Sequence, residues 1–184
     1  MSDVDMTVPG ALGLVTADGQ PVRTGDVFTE QLTVVQLVRY FGCLPCQEWL
    51  VELDRHAEAW RSFGCGAVAI GGSAGYHARW LRDERGVRIP LLLDPGHAFR
   101  ESVGTGATLG ARLLDPRGAA AYTRSLHHGF RPQRITRDST RSPGVVVVDW
   151  AGTVRWQYVG QRTGDYPPLA AVKIVVHDLL RSTT

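Results

Sequence analysis

Lysine is nearly missing from this chain: Lys173 is the single example among 20 basic residues, the rest being arginine. That bias points to the composition of the source genome rather than to chemistry. Net charge is small too, since 20 Lys and Arg against 18 Asp and Glu leave +2, which gives no footing for a nucleic-acid or membrane-surface binder. No apolar run approaches the roughly 20 residues of a membrane span. The start, Met1-Ser2-Asp3-Val4-Asp5-Met6, is acidic and lacks a basic stretch followed by an apolar one, so no secretory signal is visible. The expectation is a cytoplasmic protein. In that compartment thiols stay reduced, and a close cysteine pair serves catalysis or metal binding more often than a structural disulfide.

Cysteine is scarce as well, with only Cys43, Cys46 and Cys65. Structural zinc commonly takes two Cys-x-x-Cys pairs, or one pair with two suitably spaced histidines. Here there is one pair, Cys65 stands apart, and His56 falls on an expected helix, so no metal is expected. Gln47 rather than His follows Cys46, which removes covalent haem attachment. Cys65 reads as structural.

With 184 residues and 43% hydrophobic content, the chain has enough material for one cored domain. Residues 1–11 read as a loose leader and 12–184 as the domain. Gly13 to Val22 surrounds an Asp18-Gly19 turn and predicts a β-hairpin. Val34-Val35-Gln36-Leu37-Val38 and Ala67-Val68-Ala69-Ile70 predict buried strands, with helices over roughly 43–63 and 74–85. Ile89-Pro90-Leu91-Leu92-Leu93-Asp94-Pro95 predicts a third strand, placed at an edge because Pro90 lacks a ladder donor. A short helix follows near Phe99–Val103, then an interrupted helix within 111–129 and a polar loop over 131–142. Val145–Val148 and 153–159 predict a hairpin, and Pro168–Arg181 a closing helix. The order is that of an α/β, thioredoxin-like fold, a central mixed sheet flanked by helices with an N-terminal β-hairpin extension.

Cys43-Leu44-Pro45-Cys46 lies where the strand gives way to helical spacing at Trp49, Leu50, Leu53, Ala57 and Trp60. That places Cys43 at a helix N-terminus, where unpaired N–H groups and the helix dipole favour an anion. Such a site lowers a thiol from about 8.5 to about 3.5–7.5 and makes it nucleophilic. Only Cys43 is expected to face solvent there; Cys46, one turn on and facing inward, is then the resolving thiol.

Val38-Arg39-Tyr40-Phe41-Gly42-Cys43-Leu44-Pro45-Cys46 resembles the VR-x-F-x-C-x-x-C signature of peroxiredoxin-like proteins of the alkyl hydroperoxide reductase/thiol-specific antioxidant superfamily (AhpC/TSA). The branch it resembles is related to selenoprotein L and to prostamide/prostaglandin F synthase-like proteins. Ala69–Ser73, Leu92–Pro95, Leu113–Pro116, His128–Phe130, Ser142–Val145 and Arg162-Thr163-Gly164-Asp165 follow in the order that branch shows. The resemblance implies a thiol oxidoreductase without a bound cofactor, regenerated by an external thiol such as thioredoxin, as monomer or homodimer. One departure matters. Typical peroxiredoxins carry Pro-x-x-x-Thr/Ser-x-x-Cys, whose hydroxyl helps position the peroxide, and here those positions hold Gln36 and Tyr40.

Arg39, four residues before Cys43, is expected to stabilise a thiolate and meet a peroxide oxygen, or else to be a surface charge at a strand end. Tyr40, Pro143 and Arg141 are the expected substrate-binding residues. Pro143, just before the strong strand, corresponds to a cis-proline facing the Cys pair in thioredoxin-like folds, at a cost of about 0.5–1 kcal/mol. Three functions remain open: reduction of an organic hydroperoxide, endoperoxide or disulfide; the same chemistry in specialised metabolism; or a non-enzymatic redox-sensing module.

Overall fold

A computed structural model describes residues 6–182. Seven strands form one mixed sheet: β1 (Gly13–Thr16), β2 (Pro21–Arg23), β3 (Leu32–Leu37), β4 (Cys65–Gly71), β5 (Leu91–Leu93), β6 (Gly144–Asp149) and β7 (Val154–Val159), in the order β2-β1-β5-β4-β3-β6-β7. The helices are α1 (Thr24–Val27), α2 (Leu44–Arg61), α3 (Gly75–Arg85), α4 (Ala98–Ser102), α5 (Pro116–His127) and α6 (Leu169–Ser182). β3, β4 and β5 run parallel, joined by α2 and α3, while β6 lies antiparallel to β3. This is the thioredoxin-like arrangement expected from the element order.

β3 and β6 are nearly continuous apolar runs because both faces of the sheet are covered. Strand alternation divides their side chains between two cores. Val34, Val145 and Val147 pack with Leu50, Leu53 and Trp60 of α2 and Val172 and Val176 of α6. Val35, Val146 and Val148 face Val8, Leu14, Phe28 and Phe99 on the other side. Each such aliphatic side chain contributes roughly 1.5–3 kcal/mol through burial, so the strand end that carries the cysteines rests on a rigid base.

Two expectations are corrected. β5 is internal, because the N-terminal hairpin adds β1 to its free side. Pro90 lies just outside the strand and contributes only its carbonyl, to Ala69 N–H, so its missing donor costs the ladder nothing. Residues 6–8 are also tied down: Val8 is buried, its N–H bonds the Gly152 carbonyl, and Val154 N–H bonds the Met6 carbonyl. Residues 1–5 of the expected leader lie outside the described residues. Among those described, no helix is long and apolar enough to cross a membrane.

Candidate active site

The crossing from β3 to α2 is short and strapped. Cys43 is the N-cap of α2 and its carbonyl accepts from Gln47 N–H at 2.9 Å. Pro45 falls in the first turn, where a missing N–H has no helical partner to lose. Two buried amides hold the crossing from inside: Gln36 Nε2 donates to the Cys46 carbonyl at 3.0 Å and Gln47 Nε2 to the Phe41 carbonyl at 3.1 Å. Cys43, Cys46 and Cys65 are all free thiols.

The N-terminal position of Cys43 does not make it open. Both sulfurs of the pair are fully buried. Arg39, itself buried, brings Nη1 to 3.8 Å from Cys43 Sγ and donates from the same nitrogen to Thr163 Oγ1 at 3.0 Å. Its Nη2 donates to the Ser139 carbonyl. Arg39 is therefore a built-in partner of the cysteines rather than a surface charge. The corrected point is physical: a helix start exposes a sulfur only if nothing folds over it, and here chain-distant loops do.

Burial opposes ionisation at both sulfurs, yet the pair gives up one proton readily. At Cys46 the burial cost is outweighed by the Cys43 S–H, the Arg39 guanidinium and the Tyr166 hydroxyl, and its pKa falls from 9.0 to about 7. Cys43 is pushed well above the ordinary thiol range by burial and by the anion on Cys46 beside it. The two thiols titrate together, and the first proton is lost more easily than from an isolated buried thiol. At Arg39, burial works against the charge, but the cysteines outweigh it and hold the guanidinium more firmly protonated. Tyr166 stacks on Trp49 at 5.2 Å and keeps its own proton, raised by burial and by the cysteine charge.

A cleft of about 370 Å³ opens beside Arg39. Arg39, Ser139, Thr163 and Asp115 supply its polar lining, and the rest includes Tyr40, Tyr122, Leu113, Leu114 and Ile135. Leu114 and Ile135 are 86% and 72% exposed, an unusual state for large aliphatic side chains at a cleft rim. The Tyr40 and Tyr122 hydroxyls stand 3.3 Å apart, and burial raises both phenols, so they remain neutral donors.

Of the residues expected from sequence, Cys43, Cys46, Arg39 and Tyr40 are brought together; Pro143 and Arg141 are not part of this cluster. Among the described residues there is no cis peptide bond, so Pro143 is trans. Its backbone surroundings are filled: Ser142 N–H bonds Ala107, the Ser142 carbonyl accepts from Arg100 Nη1 at 2.9 Å, and the Pro143 carbonyl accepts from Gly160 N–H at 2.8 Å. No free backbone edge remains there to dock a substrate. Arg141 donates to the Gly106 carbonyl at 2.7 Å and lines a separate cleft with His97 and Asp138.

Thr163, Tyr122, Tyr166 and Ser139 were not singled out from the sequence. Only Thr163 had a signal, as part of Arg162-Thr163-Gly164-Asp165. Buried Arg100 also went unnoticed; its second arm bonds the Val38 carbonyl at 2.5 Å, fixing the strand end from below.

Comparison with known proteins gives a consistent picture. The family model described as AhpC/TSA family matches residues 4–157. Prostamide/prostaglandin F synthase of Bos taurus is 29% identical over 188 residues, covering 94% of this chain and 88% of that protein. Peroxiredoxin-like 2C of Bos taurus is 26% identical over 94 residues, covering 50% of this chain and 41% of that protein. Among solved structures, peroxidoxin BcpB from Mycobacterium tuberculosis superposes with a TM-score of 0.66 at 14% identity, covering 98% of each chain, a likeness of fold.

Proposed function

This chain belongs to the AhpC/TSA family of peroxiredoxin-like thiol oxidoreductases, and on that footing we propose that it reduces an organic hydroperoxide or endoperoxide with the Cys43–Cys46 pair. The observation that carries the reading is the buried cysteine pair with Arg39 Nη1 at 3.8 Å from Cys43 Sγ. Cys43, the sulfur nearer the cleft's cationic wall, is the attacking atom, and Cys46 takes its proton along their hydrogen bond. The Cys43 sulfur then attacks one peroxide oxygen; the S–O bond forms, the O–O bond breaks, and the alkoxide leaves and is protonated from solvent. Cys46 next displaces the oxygen carried on Cys43, as water when the substrate was a hydroperoxide and as the second hydroxyl of the product diol when it was an endoperoxide, giving the intramolecular disulfide. An external dithiol of thioredoxin type returns the pair to two thiols. The net change is two thiols and ROOH to a disulfide, ROH and water, or two thiols and an endoperoxide to a disulfide and a diol.

Burial of both sulfurs and the filled backbone at Pro143 favour a small-molecule peroxide over a protein disulfide as oxidant. The apolar cleft lining agrees with that, as does the similarity to a protein named for prostaglandin F synthesis. A second reading has its own observation: the lowered value belongs to Cys46, which would make Cys46 the attacking sulfur. Single-turnover oxidation by cumene hydroperoxide separates the two. In the Cys46→Ser variant a dimedone-reactive sulfenic acid on Cys43 is expected, and none in Cys43→Ser. The opposite pattern reverses the roles, and no oxidation of the wild-type pair rejects peroxide reduction.

A further inference from the structure

Thr163 is joined to the cysteines through a single nitrogen. Arg39 Nη1 lies 3.0 Å from Thr163 Oγ1 and 3.8 Å from Cys43 Sγ, so the hydroxyl and the sulfur flank one NH2 group. Because Oγ1 already accepts from a cation, its own proton is polarised and must be donated elsewhere. Among the described residues no acceptor for that proton is seen, and Thr163 is otherwise buried, 6% exposed. The residue lines the cleft beside Arg39. A hydroxyl held by a cation at the wall of a cleft has its proton available for an oxygen bound in that cleft.

The chain is built to hold it there. Gly118 of α5 allows close approach, since a Cβ at that position would stand 3.2 Å from Thr163 Cβ. Gly164 has φ +73°, and a Cβ there would meet Pro45 Cβ at 2.7 Å. The Asp165 carboxylate then closes the turn, accepting from Gln161 N–H at 2.7 Å and Tyr158 Oη at 3.0 Å and pairing with Arg162 at 3.1 Å.

We propose that Thr163 is a catalytic residue that contacts the peroxide, its Oγ1–H donating to the oxygen that departs as alkoxide when Cys43 forms the S–O bond. The electron pair of the O–O bond goes to that oxygen, the hydroxyl holds the developing charge, and a solvent proton completes the alcohol. Arg39 orients the hydroxyl and the sulfur together, so the donor is fixed before the substrate arrives. This inference rests on the peroxide reading above.

The test uses the full chain with Thr163→Val and Thr163→Ser, measuring the second-order rate with cumene hydroperoxide and, separately, the pH dependence of iodoacetamide alkylation of the pair. Loss of one preorganised donor predicts a fall of about 100-fold in the peroxide rate for Thr163→Val, with Thr163→Ser recovering most of it. The alkylation profile should stay close to wild type, because Arg39 remains beside the sulfur. A peroxide rate for Thr163→Val within a factor of a few of wild type overturns the assignment. So does an equal loss in alkylation, which would mean that the nucleophile rather than the peroxide contact had been damaged. A wild type that alkylates normally but is inert to cumene hydroperoxide rejects the peroxide reading itself, and this inference with it.

Discussion

Asp138 faces His97 with Oδ1 3.2 Å from Nε2, and its other oxygen lies 3.3 Å from both the backbone nitrogen and the hydroxyl of Ser73. The next residue, Ser139, supplies the carbonyl that holds Arg39 Nη2. A buried carboxylate thus pins the 131–142 loop to two other loops, and the loop in turn fixes the cation beside Cys43. Replacing it by alanine leaves the Ser73 N–H without its partner, at a cost of about 1–3 kcal/mol. Asp138→Ala is expected to lower Tm by several degrees and to move the alkylation profile of the cysteine pair upward in pH, as Arg39 loosens. An unchanged profile in a folded variant would mean that Arg39 is held without the loop.

Peroxide titration should consume two thiols and leave one. Cys65 begins β4, and burial pushes its thiol up to about 12, so almost none is thiolate near neutrality. Cys43 and Cys46 lie one helical turn apart, and the Cys46 thiol is lowered to about 7. Peptide mapping after oxidation should find a Cys43–Cys46 disulfide and alkylatable Cys65. A bridge that includes Cys65 would refute the pairing.

What could be read from the sequence was local. The valine runs at 34–38 and 145–148 announced the two central strands because both faces of each are buried by β-branched side chains. Cys43, Cys46 and Arg39 lie within eight residues of one another, so one strand–helix junction sufficed to place them. Thr163 and Tyr122 reach the same point from 124 and 82 residues away, carried by closure of β6 and β7 onto β3 and by α5 against α2. Spacing along the chain holds no record of such meetings. The error at Pro90 has the same origin, since the strand that covers β5 comes from the N-terminal hairpin. So does the expectation of an open Cys43: the local rule for helix termini is sound, but it cannot see Arg39 and Thr163 closing over the sulfur.

His77 gives a pH signature in stability. Its ring is fully buried against Tyr40 and Tyr76, with neither nitrogen bonded, and burial lowers its pKa from 6.5 to about 4. The folded value lies below the unfolded one, so as pH falls the unfolded chain takes up the proton first. The associated stability is therefore complete above about pH 6.5 and is lost progressively toward pH 4. Urea midpoints across that range should drop for wild type and drop less for His77→Leu, which has nothing to protonate there. Parallel curves for the two proteins would remove His77 as the cause.

The cleft lining predicts a preference for bulky apolar peroxides. Leu114 and Ile135 are 86% and 72% exposed at its rim, and Leu113 lies beside them. A hydrocarbon group bound there covers apolar surface on both partners, while hydrogen peroxide gains nothing from it. Contacts of this kind discriminate by about 1–3 kcal/mol per group, or roughly 10–200-fold. Cumene hydroperoxide is thus expected to react faster than hydrogen peroxide with the wild type. Leu114→Ser with Ile135→Ser should narrow that gap by lowering only the cumene rate. Both side chains are largely in solvent, so Tm should hardly move, and a fold defect cannot stand in for the effect. Equal losses with both peroxides would place the two residues outside the substrate contact, and a hydrogen peroxide rate at or above the cumene rate in wild type would refute the preference.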